Sequence, residues 1–512
     1  MRKLLTYTAI LALPTLVQKA TAQSTEKLNR PSAQENAVFR TYTGSPADLV
    51  YSPQPLLNAV QLEGTYEKGD FRLPQQADRV RGLKAATEGQ TVLKNIHLYG
   101  AFSYRRQWQD SVSRTQRLDP LSPNPYYIAS ERAGSLQRAD YHLTGRAATI
   151  INGHLLLGLG LNYEVGDAAR NVIPVAGHNN YLLGFEGNVG WQFKPRSGMA
   201  LKGQYGYGYE RTSVDMSAAR DQAEKDLQFY DFLGYGTLTF APGRSIQRYF
   251  RYYGAALQGW HTINNNDFRL EAGYRYQRDT TRQVVSENDQ LYMTAGKYYQ
   301  RDLSARFTWL RSLSGNRKAM LQLEGLNIKG RDHNDSLGGN NYRYQQHSYA
   351  ATLSLYRYKS AMIKNGWLGN ITFTDIQKLD GATEHTFQAS YIEGYVQREQ
   401  AFPVNELNAV TAMLRAGGRA DAGSKLNVPA SQVNFFTKNI AVPEVRYYQE
   451  SALTAAARIG WLHRLKGDAQ AEFSVESGIM HAVNTNTPPA AGAKFDPQGN
   501  RFYINCNLQF YF

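Results

Sequence analysis

The feature that most constrains this chain is a two-residue rhythm of apolar and polar side chains, repeated in run after run. In DFRLEAGYRYQR, Phe268, Leu270, Ala272, Tyr274 and Tyr276 alternate with Arg269, Glu271, Gly273, Arg275 and Gln277. DLSARFTWLR sets Leu303, Ala305, Phe307 and Trp309 against Ser304, Arg306 and Thr308. GWLGNITFT and AEFSVESGI repeat the pattern, the second with Glu472 and Glu476 on its polar side. The last run, FYINCNLQFYF, puts Phe502, Ile504, Cys506, Leu508, Phe510 and Phe512 opposite Tyr503, Asn505, Asn507, Gln509 and Tyr511. Successive side chains of a strand point to opposite faces, so each run reads as a strand with one apolar and one polar side. Each is long enough to cross a bilayer when tilted.

The connections fall into two classes. Short ones are Asn152-Gly153, KPRSG (194–198), INNND (263–267), SGNRK (314–318), MIKNG (362–366) and LKGD (465–468). Longer, irregular ones cover 108–137, 213–247, 417–449 and 483–501. Alternating short and long connections predict an all-β, transmembrane antiparallel barrel with tight periplasmic turns and larger extracellular loops. Counting back from Phe512 gives about sixteen strands within 95–512, with fourteen to eighteen open. One segment, LQFYDFLGYGTLTF (227–240), is strand-like but breaks the parity; it reads either as part of a folded extracellular loop or as a strand whose candidate partner is LNAVQLEGTYEKG (57–69). The run 384–398 changes phase at Tyr391-Ile392, which reads as a bulge. Residues 23–94 read as a segment at the periplasmic mouth or a small lumen plug, with a short helix in RVRGLKAATEGQTVLKN.

The amino terminus fits this location. Arg2 and Lys3 precede an apolar stretch, Leu4 to Val17, and Ala20-Thr21-Ala22 follows. That is the pattern of a secretory signal peptide, residues 1–22, cleaved after Ala22. Its removal takes Arg2, Lys3 and Lys19 and lowers the formal charge from +14 to +11. Cys506 is the one cysteine of the chain, which excludes a disulfide framework. After residue 22 no apolar run is long enough for a membrane helix. A mean hydropathy of −0.51 suits a barrel that is apolar outside and polar inside. The 35 tyrosines supply the aromatic residues that anchor such strands at the interfaces.

These patterns carry a resemblance. The terminal strand is similar to the barrel-assembly signal of bacterial outer-membrane proteins, with Asn505, Phe510 and Phe512 matching and Asn507 where glycine is usual. GTYEKGDFRLPQQADRVRGLKAATEG, LYGAFSYRRQW, DPLSPNPYYIAS and LLLGLGLNYEVGDAARNVIP resemble an uncharacterised, domain-of-unknown-function family of Bacteroidota outer-membrane barrels. The resemblance implies fold, cell outer membrane and the barrel-assembly machinery as a partner. It brings no activity.

Motifs for chemistry are sparse. The ten histidines form no H-E-x-x-H, and there is no C-x-x-C or G-x-S-x-G. In KGRDHNDSLGGNN (329–341), Asp332, His333, Asn334 and Asp335 offer weak ligands for a cation, without calcium-loop spacing. Asp332 with His333 also raises an outer-membrane protease, although a polar loop tip explains the stretch as well. No cofactor and no enzymatic activity are expected. Tyr126-Tyr127 follow Pro120, Pro123 and Pro125 in a stiffened loop that would suit a sugar or peptide, or simply a rigid tip.

Inward-facing charge is the stronger lead. Arg269, Glu271, Arg275, Arg306, Glu472 and Glu476 would line the lumen. They would either select small polar or anionic solutes, as charged rings do in pores, or pair and fill the space. Basic residues outside would meet anionic lipopolysaccharide. They are too dispersed for nucleic acid. The sequence therefore predicts a pore or binding barrel for small polar solutes. The alternatives are a non-conducting accessory barrel beside a TonB-dependent receptor or a surface lipoprotein and, more remotely, an outer-membrane enzyme of the protease or lipase type.

Overall fold

The computed structural model describes residues 44–51, 58–171, 175–215, 229–240, 245–286, 291–359, 362–465, 469–483 and 495–512. The expected signal peptide lies outside these residues. In chain order the first strands are β1 (Ala59–Gly69), β2 (Arg79–Leu93), β3 (Ile96–Val112), β4 (Tyr126–Ser130), β5 (Gly134–Ile151), β6 (Leu155–Arg170), β7 (Val175–Lys194) and β8 (Ser197–Asp215). Next come β9 (Phe229–Leu233), β10 (Leu238–Phe240), β11 (Ser245–Ile263), β12 (Asn266–Ser286), β13 (Leu291–Leu313), β14 (Arg317–Asn334), β15 (Tyr342–Lys359) and β16 (Met362–Asp380). The last are β17 (Thr386–Pro403), β18 (Asn408–Asp421), β19 (Lys425–Asn427), β20 (Ala452–Arg464), β21 (Gln470–Ala482) and β22 (Asn500–Tyr511). Two short α-helices, α1 (Asp48–Tyr51) and α2 (Val442–Gln449), a 3-10 turn (Ala430–Gln432) and a π-helical turn (Thr437–Ala441) complete the described elements.

Eighteen strands, all but β4, β9, β10 and β19, form one closed antiparallel barrel. Each pairs with its sequence neighbour, and β22 returns to β1 in a register running from Ala59↔Tyr511 to Gly69↔Arg501. The seam is tied by Gln61 Nε2 donating to Asn507 Oδ1 at 3.1 Å, so Asn507 has a use where glycine was expected. No helix of the described residues is long and apolar enough to cross a membrane.

The sequence-based count of sixteen is corrected to eighteen, and the barrel begins at Ala59 rather than at residue 95. The missing pair is β1 and β2, paired Ala59↔Glu88 to Lys68↔Arg79. β2 replaces the short helix expected there. Apart from Leu83, its outward face holds the small residues Ala85, Thr87, Gly89 and Thr91, whose alternation is faint, and its Ala, Glu and Lys are good helix formers. Closure of the barrel, not local propensity, makes it a strand. The segment 227–240 stays out of the wall: β9 and β10 join β4 in a separate three-stranded sheet.

The expected alternation holds. Leu270, Leu303, Trp367, Ile371, Phe473, Phe502 and Phe510 are exposed on the outside, where they form an apolar belt. Turns at one end are short and use residues that tolerate positive φ, such as Asn152-Gly153 (51° and 72°) and Gly315-Asn316 (70° and 55°). The stretch MIKNG is not itself a turn; it lies inside β16, with a register irregularity opposite Arg357/Tyr358. The other end carries the long loops.

No bulge interrupts β17 against β16, whose register is continuous from Asn365↔Gln400 to Leu379↔Thr386. The phase change at Tyr391-Ile392 is an inversion of polarity. Phe387, Ala389 and Tyr391 face inward onto packed loops, while Ile392 is exposed in the belt and Gln388 beyond it faces out. On β15, inward Tyr342 and Tyr344 are buried and outward Arg343 and Gln345 are exposed. Toward the loop end the inside becomes the apolar side. What does change along β17 is its other partner, β18 up to Asp421 and β19 from Lys425.

Phe512 continues the seam, donating its N–H to the Asn58 carbonyl at 3.0 Å, with its ring exposed on the outer face. A half-exposed ring contributes about 1 kcal/mol by burial. The resemblance to a barrel-assembly signal implies that removing Phe512 should nevertheless cut outer-membrane levels sharply. Heat-modifiable mobility of membrane fractions checks this, and normal levels of the truncated chain would refute it.

Candidate functional site

The lumen is where this chain departs from a simple tube. At the loop end, the connections fold inward and build a cap. Residues 113–117 pair with β4, Arg114 N–H reaching the Ser130 carbonyl at 2.8 Å and Gln116 N–H that of Ile128 at 2.9 Å. β4 then pairs with β9, and β9 with β10. The β18–β20 connection adds a π-helical turn, Thr437–Ala441, running into α2.

An aromatic core joins these pieces. Tyr230 stacks on Phe435 with centroids 4.0 Å apart, and Tyr127 meets Phe232 at 4.7 Å. Phe436 takes Phe232 and Tyr235 edge-on at 5.2 and 4.8 Å. The wall answers with Tyr298, Tyr342, Tyr344, Phe387 and Ala389, all buried against the cap. Each such ring pair adds about 1 kcal/mol beyond its area.

Buried carboxylates at the strand ends fix the cap's position. Asp332 accepts from the N–H groups of Asn341 (2.8 Å) and Tyr342 (2.6 Å) and from the Tyr126 hydroxyl (2.7 Å). Asp380 accepts from Thr237 Oγ1 at 2.7 Å, and Asp279 from Asn124 Nδ2 at 2.9 Å. Arg419 donates to the Tyr447 carbonyl and lies 4.1 Å from that residue's ring.

His385, just before β17, adds a titratable anchor. Its Nε2 is 2.7 Å from Thr437 Oγ1, and its Nδ1 is 3.1 Å from the Thr383 carbonyl. The carbonyl only accepts, so Nδ1 carries the proton and Nε2 accepts from Thr437. Burial pushes its pKa below the ordinary imidazole value, against the raising influence of the Thr383 carbonyl and the Asp380 charge. The docked ring therefore binds a proton less readily than the free one. Docking is at full strength above the free value of about 6.5 and weakens as pH falls through it, by up to about 1.4 kcal/mol per unit until the docked ring protonates. Protease cleavage within 434–449 should rise from about pH 7 to pH 5. His385→Gln should flatten that dependence; a wild-type profile in the variant would exclude the anchor role.

Between cap and wall lies a cavity of about 260 Å³, near the lower bound for ligand pockets. Its polar groups converge on Glu444 of α2, which accepts from Lys378 Nζ at 2.6 Å and the Tyr235 hydroxyl at 2.9 Å. Arg117 also lines it, 3.6 Å over the Tyr127 ring and donating to the Ser122 carbonyl at 2.8 Å. Burial pushes the Tyr127 hydroxyl up to about 12, so it stays a donor at neutral pH, and burial lowers the Arg117 pKa from the ordinary guanidinium value.

At the turn end, residues 44–51 form a latch against the inner wall. Arg269 donates to Asp48 Oδ1 at 3.1 Å and to the Tyr51 carbonyl at 2.7 Å. Tyr51 stacks on Trp260 at 3.8 Å. Gly158 gives Pro46 its place: a Cβ there would lie 2.8 Å from the proline's own.

All six lumen-charge candidates face inward. Arg269 holds the latch, and Glu271 accepts from Lys202 at 2.8 Å and Gln258 at 2.9 Å. Arg275 pairs with Asp302 at 2.8 Å and Arg306 with Glu324 at 2.6 Å. Glu476 accepts from the Tyr503 hydroxyl at 2.7 Å and lies 3.7 Å from Arg415, while Glu472 is buried on β21. The wall is thus a mosaic of both signs. Arg275 and Arg306 keep over two fifths of their side chains exposed, and such hydrated pairs contribute at most about 1 kcal/mol each. Asp332 and Asp335 are not brought together: Asp332 is inside and fully buried, Asp335 exposed, and His333 faces out. In the terminal strand Asn505 faces the lumen, and Phe510 and Phe512 face out.

Residues 417–449 were read only as a loop. The signal there is the spacing of Phe436, Ile440, Ala441, Val445 and Tyr448, an apolar face at helical period.

No curated protein matches the chain. Among solved structures it is similar to BauA, the ferric preacinetobactin receptor from Acinetobacter baumannii, at 9% identity and TM-score 0.36, covering 88% of this chain and 80% of that one. The outer membrane transporter YddB from Escherichia coli is similar at 8% and 0.37, covering 89% and 81%. A Pseudomonas aeruginosa FadL homologue is similar at 8% and 0.33, covering 92% and 93%. A family model described as a family of unknown function, DUF6850, matches residues 46–512, and the chain belongs to that family.

Proposed function

We propose that this protein is a gated outer-membrane barrel that binds small polar solutes beneath its loop cap and passes them when the cap yields. The outer-membrane location is supported by the closed barrel, its apolar belt and its terminal strand. The end with long loops then faces outward. The observation that carries the gating reading is the cap. An eighteen-stranded barrel is wide enough for an aqueous channel, yet this chain folds its loops into the mouth and leaves a polar-edged cavity there. Lys378, Glu444, Tyr235 and Arg117 supply donors and acceptors, and the tyrosine rings supply stacking faces. The paired wall charges favour polar solutes in general over anions alone. No reaction is assigned.

The dense anchoring of the cap favours one second reading, a non-conducting barrel that works beside a TonB-dependent receptor or a surface lipoprotein. Planar-bilayer recording separates the two. Wild-type protein should be nearly silent, and a chain with 430–449 replaced by a flexible linker should conduct steadily. Silence from both would remove the gated-pore reading, and a stoichiometric partner after gentle extraction would establish the second.

A further inference from the structure

Outside the barrel, above the belt on β11 to β15, basic residues stand in register. Arg251 lies opposite Arg278, Arg278 opposite Tyr299, Tyr299 opposite Arg331, and Arg331 opposite Arg343. One row nearer the belt, Arg301 lies opposite Lys329. Alternation places all of them on the outer face with Leu270, Leu303 and Leu323, and the six cations are exposed.

Like charges directly opposite one another destabilise a sheet. Here two Arg–Arg pairs and an Arg–Lys pair sit side by side. No outward position of β11 to β15 carries a carboxylate. None of the six forms an ion pair with a described acidic residue; the relief within the protein is the Tyr299 ring, 5.9 Å from Arg278. The edge of the belt also follows a membrane plane. The first polar outward residue is Arg251 on β11 and Arg278 on β12, one row lower on β13 at Arg301, and lower again on β14 at Asn327, the stepping that strand tilt requires.

We infer that this face binds the phosphate groups of a phosphorylated glycolipid of the outer leaflet, whose acyl chains lie on the belt below. Guanidinium groups match phosphate as bidentate donors, and several on adjacent strands would share one headgroup. The inference rests on the loop end facing outward. Surface labelling of Leu337→Cys in a Cys506→Ser background tests that orientation separately.

The direct test uses purified protein in detergent, with diphosphoryl lipid A and its dephosphorylated form as probes, read by native mass spectrometry. Wild type should retain the phosphorylated lipid preferentially. The variant R251Q/R278Q/R331Q/R343Q should lose at least about a hundredfold in affinity, each cation near a charged surface contributing roughly fivefold. Single variants R278Q and R331Q should show graded losses, and heat-modifiable mobility reports that the barrel is intact. Turn-end R317Q/R357Q, also outward and opposite one another, should bind as wild type does. Equal retention of the two lipids by wild type, undiminished binding by the fourfold and single variants, or an equal loss in the turn-end control would overturn the inference.

Discussion

Phe436→Ala protein should conduct in bursts across planar bilayers where wild type is quiet, and its cap should become protease-sensitive. Phe436 is 2% exposed and is the ring on which β9, the β9–β10 turn and the π-helical turn meet. Truncating a buried phenylalanine costs about 3–5 kcal/mol, because a cavity remains where the ring was. That loss falls on cap docking and leaves the belt strands untouched. At about 1.4 kcal/mol per tenfold, the undocked population should rise by roughly two to three and a half orders of magnitude. Cleavage within 434–449 should rise in proportion while heat-modifiable mobility stays unchanged. A variant as silent and as resistant as wild type would show that the cap does not depend on this core.

At the other end, Arg269→Ala should free the latch. Two contacts go at once, the Asp48 carboxylate and the Tyr51 carbonyl. The pair is only partly buried, at 12% and 19% side-chain exposure, so removing one partner leaves a partly hydrated charge and costs up to about 3 kcal/mol, the lower end of what a buried pair loses. Hydrogen exchange across 44–51 should accelerate accordingly. Acid should oppose the release. Burial raises the Asp48 carboxyl above its ordinary value despite the attraction of Arg269 and its own turn's N–H groups. The docked latch therefore binds a proton more readily than the free one. Docking strengthens as pH falls through the raised value towards the free one, and the charge penalty returns as pH rises. Fast exchange of the variant at neutral pH but not near pH 4 is the expected pattern. Exchange that ignores both the substitution and pH would mean that Trp260 stacking alone holds the segment.

The wall of this protein was legible because a barrel crossing lipid forces one apolar residue in two. Strands such as β12, β13 and β22 announce themselves through Leu270, Phe307 or Phe510. β2 did not, because its outward face of alanine, threonine and glycine gives little contrast and its composition favours helix. β17 misled in a different way. Phe387 and Tyr391 are apolar for the cap, Ile392 is apolar for the belt, and the two reasons fall on opposite faces. The cap was the least legible part. Its sheet joins Tyr126–Ser130 to Phe229–Leu233, segments about a hundred residues apart that no local pattern links. Its anchors, Asp332 and Asp380, look in sequence like ordinary loop acids. Asp332, a weak metal or protease candidate by sequence, accepts three hydrogen bonds at the edge of the cap. The lumen charges lie on the inner face, where their partners come from neighbouring strands, and pairing is a property of register.

The seam between β1 and β22 also sets a clock. Ala59 finds Tyr511 only when some 450 intervening residues exist. At ordinary elongation rates that takes roughly 20–90 s, during which the first strand has no closing partner. Bringing ends this far apart together costs several kcal/mol of chain entropy, about 1.5RT for each natural-log unit of length. The final pairing must return that cost through a single ladder of hydrogen bonds. Until then the nascent sheet has two open margins, each a template for the wrong neighbour. A chain built this way depends on being held unfolded after synthesis, and its commitment to one shape comes late and all at once.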